Sequence, residues 1–196
     1  MALLLMTLVA GHAVSASEVQ PGVTDALHQV LPGFAVSQSV QGPLIDGEPD
    51  EIGIVAVNMA VPDGEWPSYS FVVLQELSAG LYKVIGFSCP DSFNPVGGHD
   101  MEIKGGALFT HASIGGMETA ESRRSQYRFD GKGLQEIGSE YHRFYHGEDP
   151  EVAKREEVRR SWNLLTGELV EFSSAGVRKS KGMPPSPQYL ECNPKA

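Results

Sequence analysis

The segment that decides the fold is Tyr69–Phe87, with the sequence YSFVVLQELSAGLYKVIGF. Valine, isoleucine, phenylalanine and tyrosine dominate both of its halves, as is typical of β-strands. Between the halves, Ser78-Ala79-Gly80 has the composition of a tight turn. The segment therefore predicts an antiparallel hairpin of strands Tyr69–Leu77 and Leu81–Phe87.

Further β signals lie on both sides of this hairpin and are separated by turn residues. The predicted strands are Ile52–Ala60, Ala107–Ile114, Arg124–Asp130, Leu134–Tyr145, Trp162–Leu165 and Glu168–Phe172, with loops at Ser88–Gly106 and Gly115–Glu121. Short helices are predicted at Thr24–Leu31 and, after Asp149-Pro150, at Val152–Arg159. Strands in series favour a mainly β domain of twisted antiparallel meander sheets, in one domain over residues 17–196.

The composition limits the class of protein. The chain has 196 residues, of which 41% are apolar and 20% are charged, which suffices for a real hydrophobic core. The formal net charge of −10 argues against nucleic-acid binding, because such affinity rests on Lys and Arg that neutralise phosphates.

The N-terminus is typical of an export signal. An apolar run over residues 2–10 is too short to span a bilayer, and Val14-Ser15-Ala16 precedes the polar Ser17-Glu18. The sequence predicts a signal peptide over residues 1–16 and a periplasmic or secreted protein. No later segment reaches transmembrane length.

The chain contains two cysteines, Cys89 and Cys192. In an oxidising compartment the simplest expectation is that they form a disulfide with each other. This bond would hold the Pro-rich tail that contains Gly182–Pro187 against the sheet. The alternative is two unpaired thiols.

Charge is distributed unevenly along the chain. Residues 1–122 contain 14 acidic and two basic side chains, whereas residues 123–196 contain 11 acidic and 13 basic ones. An acidic rim of this kind can attract a basic partner. The alternative is that the acidic residues serve solubility.

Known catalytic signatures are missing from the sequence. It has no Gly-x-Ser-x-Gly elbow, no His-Glu-x-x-His helix and no Walker loop, which favours a non-enzymatic protein. His142 and His146 have the spacing of a helical metal pair, but the residues around them alternate as in a strand. An enzyme assembled from Asp100, Glu102 and Glu140 is the remaining catalytic alternative.

The segment Gly42–Asp50, with the sequence GPLIDGEPD, precedes a predicted strand. It resembles the calcium loop of integrin-type propeller repeats, in which Asp46 and Asp50 would occupy ligand positions. Gly42 and Leu44 stand where that loop usually has Asp or Asn. No cofactor is therefore expected, and the segment is predicted to be a turn that keeps the shape of the loop without an ion. The alternative is a loop that binds Ca²⁺ through Asp46 and Asp50.

Short motifs beyond this loop resemble a family of exported bacterial β-rich proteins. They are Phe71–Gln75, Leu81–Ile85, Gly105–Leu108, Ile114–Gly116, Tyr127–Phe129, Gln135–Gly138 and Asn163–Gly167. The resemblance implies a partial propeller or a twisted antiparallel sheet. Some members resemble periplasmic immunity proteins against peptidoglycan-cleaving toxins, which implies an inhibitor of a basic cell-wall hydrolase.

These observations together predict an exported, non-enzymatic domain that binds another protein. Contact residues are expected in the polar loops, because loops on a rigid sheet present side chains without disturbing the core. The candidates are Asp91, Asn94, His99, Glu118 and Glu121. The alternative is a carbohydrate or small-ligand module that uses the exposed aromatic residues Trp66, Tyr69, Tyr145 or Trp162.

Overall fold

The computed structural model describes residues 21–58, 60, 67–92, 98–115, 119–145 and 157–192. These residues form two antiparallel β-sheets and one short helix, so the prediction of a mainly β fold is confirmed. The predicted signal peptide and the first residues of the second predicted helix, 149–156, lie outside the described residues.

The first sheet, sheet A, contains the hairpin that Tyr69–Phe87 predicts. Its strands are β1 (Ala35–Gly42), β2 (Glu51–Asn58), β3 (Ser68–Ser78), β4 (Leu81–Phe87) and β5 (Asp91–Ser92). The order is β1-β2-β3-β4, and the short β5 also pairs with β3. Gly80, at φ 78°, supplies the left-handed conformation that the tight β3–β4 turn requires.

The second sheet, sheet B, is a meander of seven consecutive strands. They are β6 (His99–Lys104), β7 (Ala107–Gly115), β8 (Thr119–Phe129), β9 (Leu134–Tyr145), β10 (Val158–Asn163), β11 (Glu168–Ser173) and β12 (Gly176–Lys181). Every neighbouring pair is antiparallel. The predicted meander is confirmed in this sheet.

Several local predictions were wrong. Strands β1 and β12 were not predicted, and β6 lies inside the segment Ser88–Gly106 that was predicted as a loop. The second predicted helix is wrong at its end, because Val158 and Arg159 pair with Arg143 and His142 in sheet B. Ladder partners on β9 outweigh the helix propensity of this segment.

Helix α1 (Pro21–Val30) covers one face of sheet A. Its buried residues Val23, Ala26 and Leu27 pack against Ile54 and Leu74 of the sheet. The helix begins three residues before the predicted Thr24, because Pro21 suits the first turn of a helix, where an N–H group is not needed. The predicted short helix is therefore present, and it lies against the sheet.

The other face of sheet A packs against the first strands of sheet B. The apolar layer between the sheets includes Val55, Val73, Met101, Leu108 and Leu134. Close approach depends on glycine, because a Cβ atom on Gly42 would lie 2.8 Å from Cγ2 of Ile103. The two sheets therefore meet where β6 crosses β1 and β2.

The segment Gln188–Leu190 connects the two sheets. The carbonyl of buried Leu190 accepts a hydrogen bond from the N–H of Phe87 in β4 (3.0 Å), and the N–H of Leu190 donates to Leu134 in β9 (2.9 Å). The hydroxyl of Tyr189 donates to Asp130 (2.7 Å), which holds the pKa of that carboxyl below its usual value. Leu190 is thus a backbone bridge between sheet A and sheet B.

The disulfide Cys89–Cys192 lies beside this bridge. It joins two cysteines that are 103 residues apart in sequence, with 4.4 Å between their Cα atoms. The predicted pairing and the attachment of the tail are therefore both present in the structure.

Candidate binding surface

Strands β10–β12 form the part of sheet B that other elements cover least. Nearly all residues of β10 and all residues of β12 are exposed. Exposed apolar side chains occur here as well, since Trp162 is 43% exposed, Phe172 44% and Val177 61%. A sheet that is exposed on its faces and carries large apolar side chains is typical of a surface that binds a partner.

The pairing of the strands assigns side chains to the two faces, because directly opposed residues share a face. One face, the groove face, carries His142, Arg159, Phe172 and Val177 in a row across β9–β12. A parallel row across β7–β10 contains His111, Arg124, Glu140 and Ser161.

Two adjoining depressions on the groove face form a polar groove. Their volumes are 200 and 370 Å³, and Arg124, Glu140 and Ser161 line both. Phe109 lies in the smaller depression, and Phe172 lies in the larger one. Charged and polar groups therefore lie between two aromatic rings, an arrangement that suits a polar ligand with some apolar surface.

Arg124 is held in place within the groove. Its guanidinium lies 4.4 Å from the centre of the Phe109 ring and 3.5 Å from a carboxylate oxygen of Glu102. Farther along the groove, Nε2 of His142 lies 3.1 Å from a carboxylate oxygen of Glu157. The groove thus carries guanidinium, imidazole and carboxylate groups that can exchange hydrogen bonds with a ligand.

The opposite face of sheet B carries a second row of charged side chains. Strand pairing aligns Arg123, Tyr141, Arg160, Glu171 and Arg178 across β8–β12. The Arg160 guanidinium donates to a carboxylate oxygen of Glu171 at 2.6 Å. Partial burial raises the pKa of Tyr141, and the nearby carboxylate of Glu121 raises it further.

The predicted catalytic acids lie on one face but in different surroundings. Strand alternation places Asp100, Glu102 and Glu140 on the groove face of β6 and β9. Asp100 accepts a hydrogen bond from the side chain of Gln38 at 2.6 Å, while Glu102 approaches Arg124. These acids are paired separately, so the described geometry does not present them as a catalytic pair.

The predicted metal candidates do not form a ligand cluster. Asp46 and Asp50 are exposed in the β1–β2 loop, and no group of three or more His, Cys, Asp or Glu side chains in the described ranges is arranged to hold a metal ion. His142 lies in a strand, as its surroundings predict, and His146 is outside the described residues.

A buried carboxylate organises the β1–β2 loop. Glu51 is fully buried, and one of its carboxylate oxygens accepts the N–H groups of Leu44 (2.7 Å) and Ile45 (3.3 Å). These bonds satisfy loop N–H groups that would otherwise be unpaired away from water. The carboxylate thus gives the loop its shape from within.

The predicted contact residues are mostly in strands rather than loops. Asp91 lies in β5, His99 in β6 and Glu121 in β8, whereas Asn94 and Glu118 lie outside the described residues. Strand pairing fixes the backbone of these three residues, so they do not lie in the polar loops that the sequence predicted.

His99 is packed between the sheets. Its ring stacks on Tyr69 with 4.1 Å between the ring centres, and the Phe71 ring lies 6.0 Å away. Burial lowers the pKa of His99, and the neighbouring His111 lowers it further. His99 and Tyr69 therefore belong to the packing of the molecule rather than to an exposed binding site.

The lowered pKa of His99 predicts a loss of stability in mild acid. The unfolded chain binds a proton near pH 6.5, before the folded protein does, so the free energy of unfolding falls as the pH drops below that value. Because one proton is involved, the free energy of unfolding can change by at most about 1.4 kcal/mol per pH unit. Urea unfolding from pH 8 to pH 5 should show this slope in the wild type and a smaller slope in His99→Phe. Identical slopes would contradict the prediction.

The other aromatic candidates differ in exposure. Trp162 is exposed and pairs with Ser139 and Leu169 on the face opposite Ser161, although it also borders the smaller depression. Tyr145 is half-buried at the end of β9, and Trp66 lies outside the described residues. The groove aromatics Phe109 and Phe172 were not among the candidates. Their place on the groove face depends on the pairing of β7 with β8 and of β11 with β10, which the composition of either strand does not show.

The charge of the exposed strands differs from that of the whole chain. Residues 158–181 contain five basic and two acidic side chains in a protein of net charge −10. This positive charge lies on the most exposed strands, β10–β12. The molecule therefore presents a local basic surface within an acidic chain.

Searches against protein-family models, curated proteins and solved structures find no significant match to this chain. The resemblance to exported bacterial proteins stays a prediction from the motifs. Within the described part of the chain, no helix is long and apolar enough to cross a membrane.

Proposed function

We propose that this chain is an exported, non-enzymatic domain that binds another protein through strands β10–β12. The observation that carries the proposal is the exposure of these strands, with Trp162 on one face of the sheet and Phe172 and Val177 on the other. Such side chains lose contact with water when a partner covers them, and aromatic residues often dominate the affinity of an interface. The disulfide supports an oxidising compartment, either the periplasm or the outside of the cell.

The proposed partner class is a basic cell-wall hydrolase, which the protein would inhibit. The large acidic excess of residues 1–122 supports this class, because it attracts a basic protein over a distance at low ionic strength, whereas the basic strands β10–β12 would contact an acidic part of that protein. Exposed Asp46, Glu48 and Asp50 in the β1–β2 loop contribute to that acidic surface. The motif resemblance to periplasmic immunity proteins points to the same class.

Inhibition of purified basic peptidoglycan hydrolases tests this function. We expect Trp162→Ala to weaken inhibition by about tenfold or more, as at an interface hot spot. Leu81→Ala is the matched control, because Leu81 is 57% exposed in sheet A, away from β10–β12. Added salt should weaken inhibition by the wild type. Equal inhibition by both variants, or no inhibition by the wild type, would contradict the proposal.

A second candidate function is the binding of a carbohydrate or another small polar ligand. The polar groove favours it, since Arg124 and Glu140 lie between the aromatic rings of Phe109 and Phe172. Aromatic rings can pack on the apolar face of a sugar, while charged side chains bond its hydroxyl groups.

A glycan array that includes soluble peptidoglycan fragments tests this second function. We expect Phe172→Ala and Glu140→Gln each to reduce affinity for a bound glycan by about tenfold, which corresponds to about 1.4 kcal/mol. Arg128→Ala is the matched control, because Arg128 is exposed on β8 but does not line the groove. If no glycan binds, or if Arg128→Ala weakens binding as much as the groove variants do, the groove is not the ligand site.

A further inference from the structure

The outer edge of sheet B is open at β12. This strand pairs with β11 on one side, and no other described strand pairs with it. Its six residues are all exposed, contain no proline and follow β11 without a register shift. Such an edge presents unpaired N–H and C=O groups that can bind a further strand.

The described residues that follow β12 leave this edge uncovered. The N–H of Gly182 donates to the carbonyl of Gly167 at 3.0 Å, which directs the backbone across the end of the β10–β11 hairpin. The following residues then lead to the bridge at Gln188–Leu190. The tail therefore runs away from the outer edge of β12.

Three of the rows of directly opposed side chains in sheet B end at a basic residue of β12. Arg178 follows Glu171, whose carboxylate already binds Arg160 at 2.6 Å. Lys181 is opposite Glu168, and Lys179 is opposite the apolar Val170. An acidic side chain on a further strand would continue the alternation of charge in the Arg178 and Lys181 rows.

The same cations oppose pairing of β12 with a second copy of this chain. In the centred antiparallel register, Arg178 of one copy would lie opposite Lys179 of the other. A shift by one residue in either direction would place Arg178 opposite Arg178 or Lys179 opposite Lys179. Like charges directly opposite each other destabilise a pair of strands, so β12 disfavours self-association.

We propose that β12 binds an extended acidic segment of a partner protein by strand addition. In an antiparallel complex, acidic residues of the partner lie opposite Lys181, Lys179 and Arg178, and an apolar residue lies opposite Val177. Val177 is 61% exposed and adjoins Phe172 on the groove face, so it provides the apolar contact. From its N-terminus, the partner segment therefore has an acidic, a polar, two acidic and an apolar residue, in that order. This inference rests on the proposed protein-binding function and assigns the partner segment that β12 recognises.

The test uses synthetic peptides and the full mature chain. The probe is a peptide centred on Glu-Thr-Glu-Glu-Val, and its matched controls replace the three Glu with Lys or place Pro at the centre. Hydrogen exchange measured by NMR should show protection at alternate amides of β12, because every second residue directs its N–H outward. Binding should weaken as salt is added.

Charge reversal provides the decisive comparison. Arg178→Glu/Lys179→Glu/Lys181→Glu should reduce affinity for the acidic peptide by about tenfold or more and should bind the lysine peptide instead. The control triple variant, Lys83→Glu/Lys104→Glu/Lys132→Glu, changes the same charge at exposed positions outside β12. It should keep the preference for the acidic peptide.

Several results would overturn strand addition. They are equal binding of the acidic and lysine peptides, unchanged affinity with the central Pro, or protection confined to residues outside β12. A concentration-dependent dimer in sedimentation that the β12 charge reversal abolishes would assign the edge to a second copy. Hydrolase inhibition that the β12 triple variant retains, but Trp162→Ala loses, would uphold the protein-binding function while excluding β12 as its contact.

Discussion

Loss of the Cys89–Cys192 disulfide is expected to lower the free energy of unfolding by about 4 kcal/mol. The bond closes a loop between cysteines 103 residues apart, and a loop of that length removes much conformational entropy from the unfolded chain. Without it, the bridge at Leu190 must form at the entropic cost of ordering a long segment. Urea unfolding of Cys89→Ala/Cys192→Ala measures the loss.

The control for this prediction is reduction of the wild type. Dithiothreitol should destabilise the wild type by a similar amount and leave the double variant unchanged. Leu190→Ala should also destabilise the protein while the disulfide remains, because it removes a buried side chain between the sheets. A double variant as stable as the oxidised wild type would show that the other contacts of the tail suffice.

Glu51→Ala is expected to destabilise the protein by about 3 kcal/mol. The substitution removes the carboxylate oxygen that accepts the N–H groups of Leu44 and Ile45, and it leaves a cavity at a fully buried position. An unpaired buried donor costs about 1–3 kcal/mol. Thermal unfolding followed by circular dichroism, together with urea titration, measures the change.

Glu51→Gln is the matched comparison, because it keeps an oxygen acceptor and nearly the same volume. We expect a smaller loss of about 1 kcal/mol for this variant, because its amide oxygen can still accept the N–H groups of Leu44 and Ile45. The Asp46→Ala/Asp50→Ala variant should have little effect on stability, since both side chains are exposed. If that variant is less stable than Glu51→Ala, the loop depends on its exposed acids and the proposed role of Glu51 is wrong.

The sequence predicts most of sheet A and the middle of sheet B because those strands alternate or are continuously apolar. The hairpin of β3 and β4 was predicted closely, since Val72, Val73 and Leu74 form a continuous apolar run in a strand that is covered on both faces. Strand β12, with the sequence GVRKSK, carries no such pattern, because it is exposed along its length and only its ladder with β11 keeps it extended. Apolar and polar residues do alternate in strand β6, and its Met101 and Ile103 point inward. The strand was missed because turn residues lie on both sides of this short pattern.

The binding surface was harder to predict than the fold. Cross-strand rows such as His142, Arg159 and Phe172 combine residues from separate strands, so their proximity depends on register. Local composition does not give this register, which depends on the turns that connect the strands. The predicted loop residues Asp91, His99 and Glu121 lie in paired strands instead.

The bridge at Leu190 also sets the order in which the molecule can fold. The hydrogen bond from Phe87 to Leu190 joins groups separated by about 100 residues, and pairings of such high contact order form late. During synthesis, β4 and β9 therefore lack this contact until a segment that emerges long after them becomes available. The sheet edges that this segment later occupies stay open to chaperones, or to misplaced strands, for the whole of that interval.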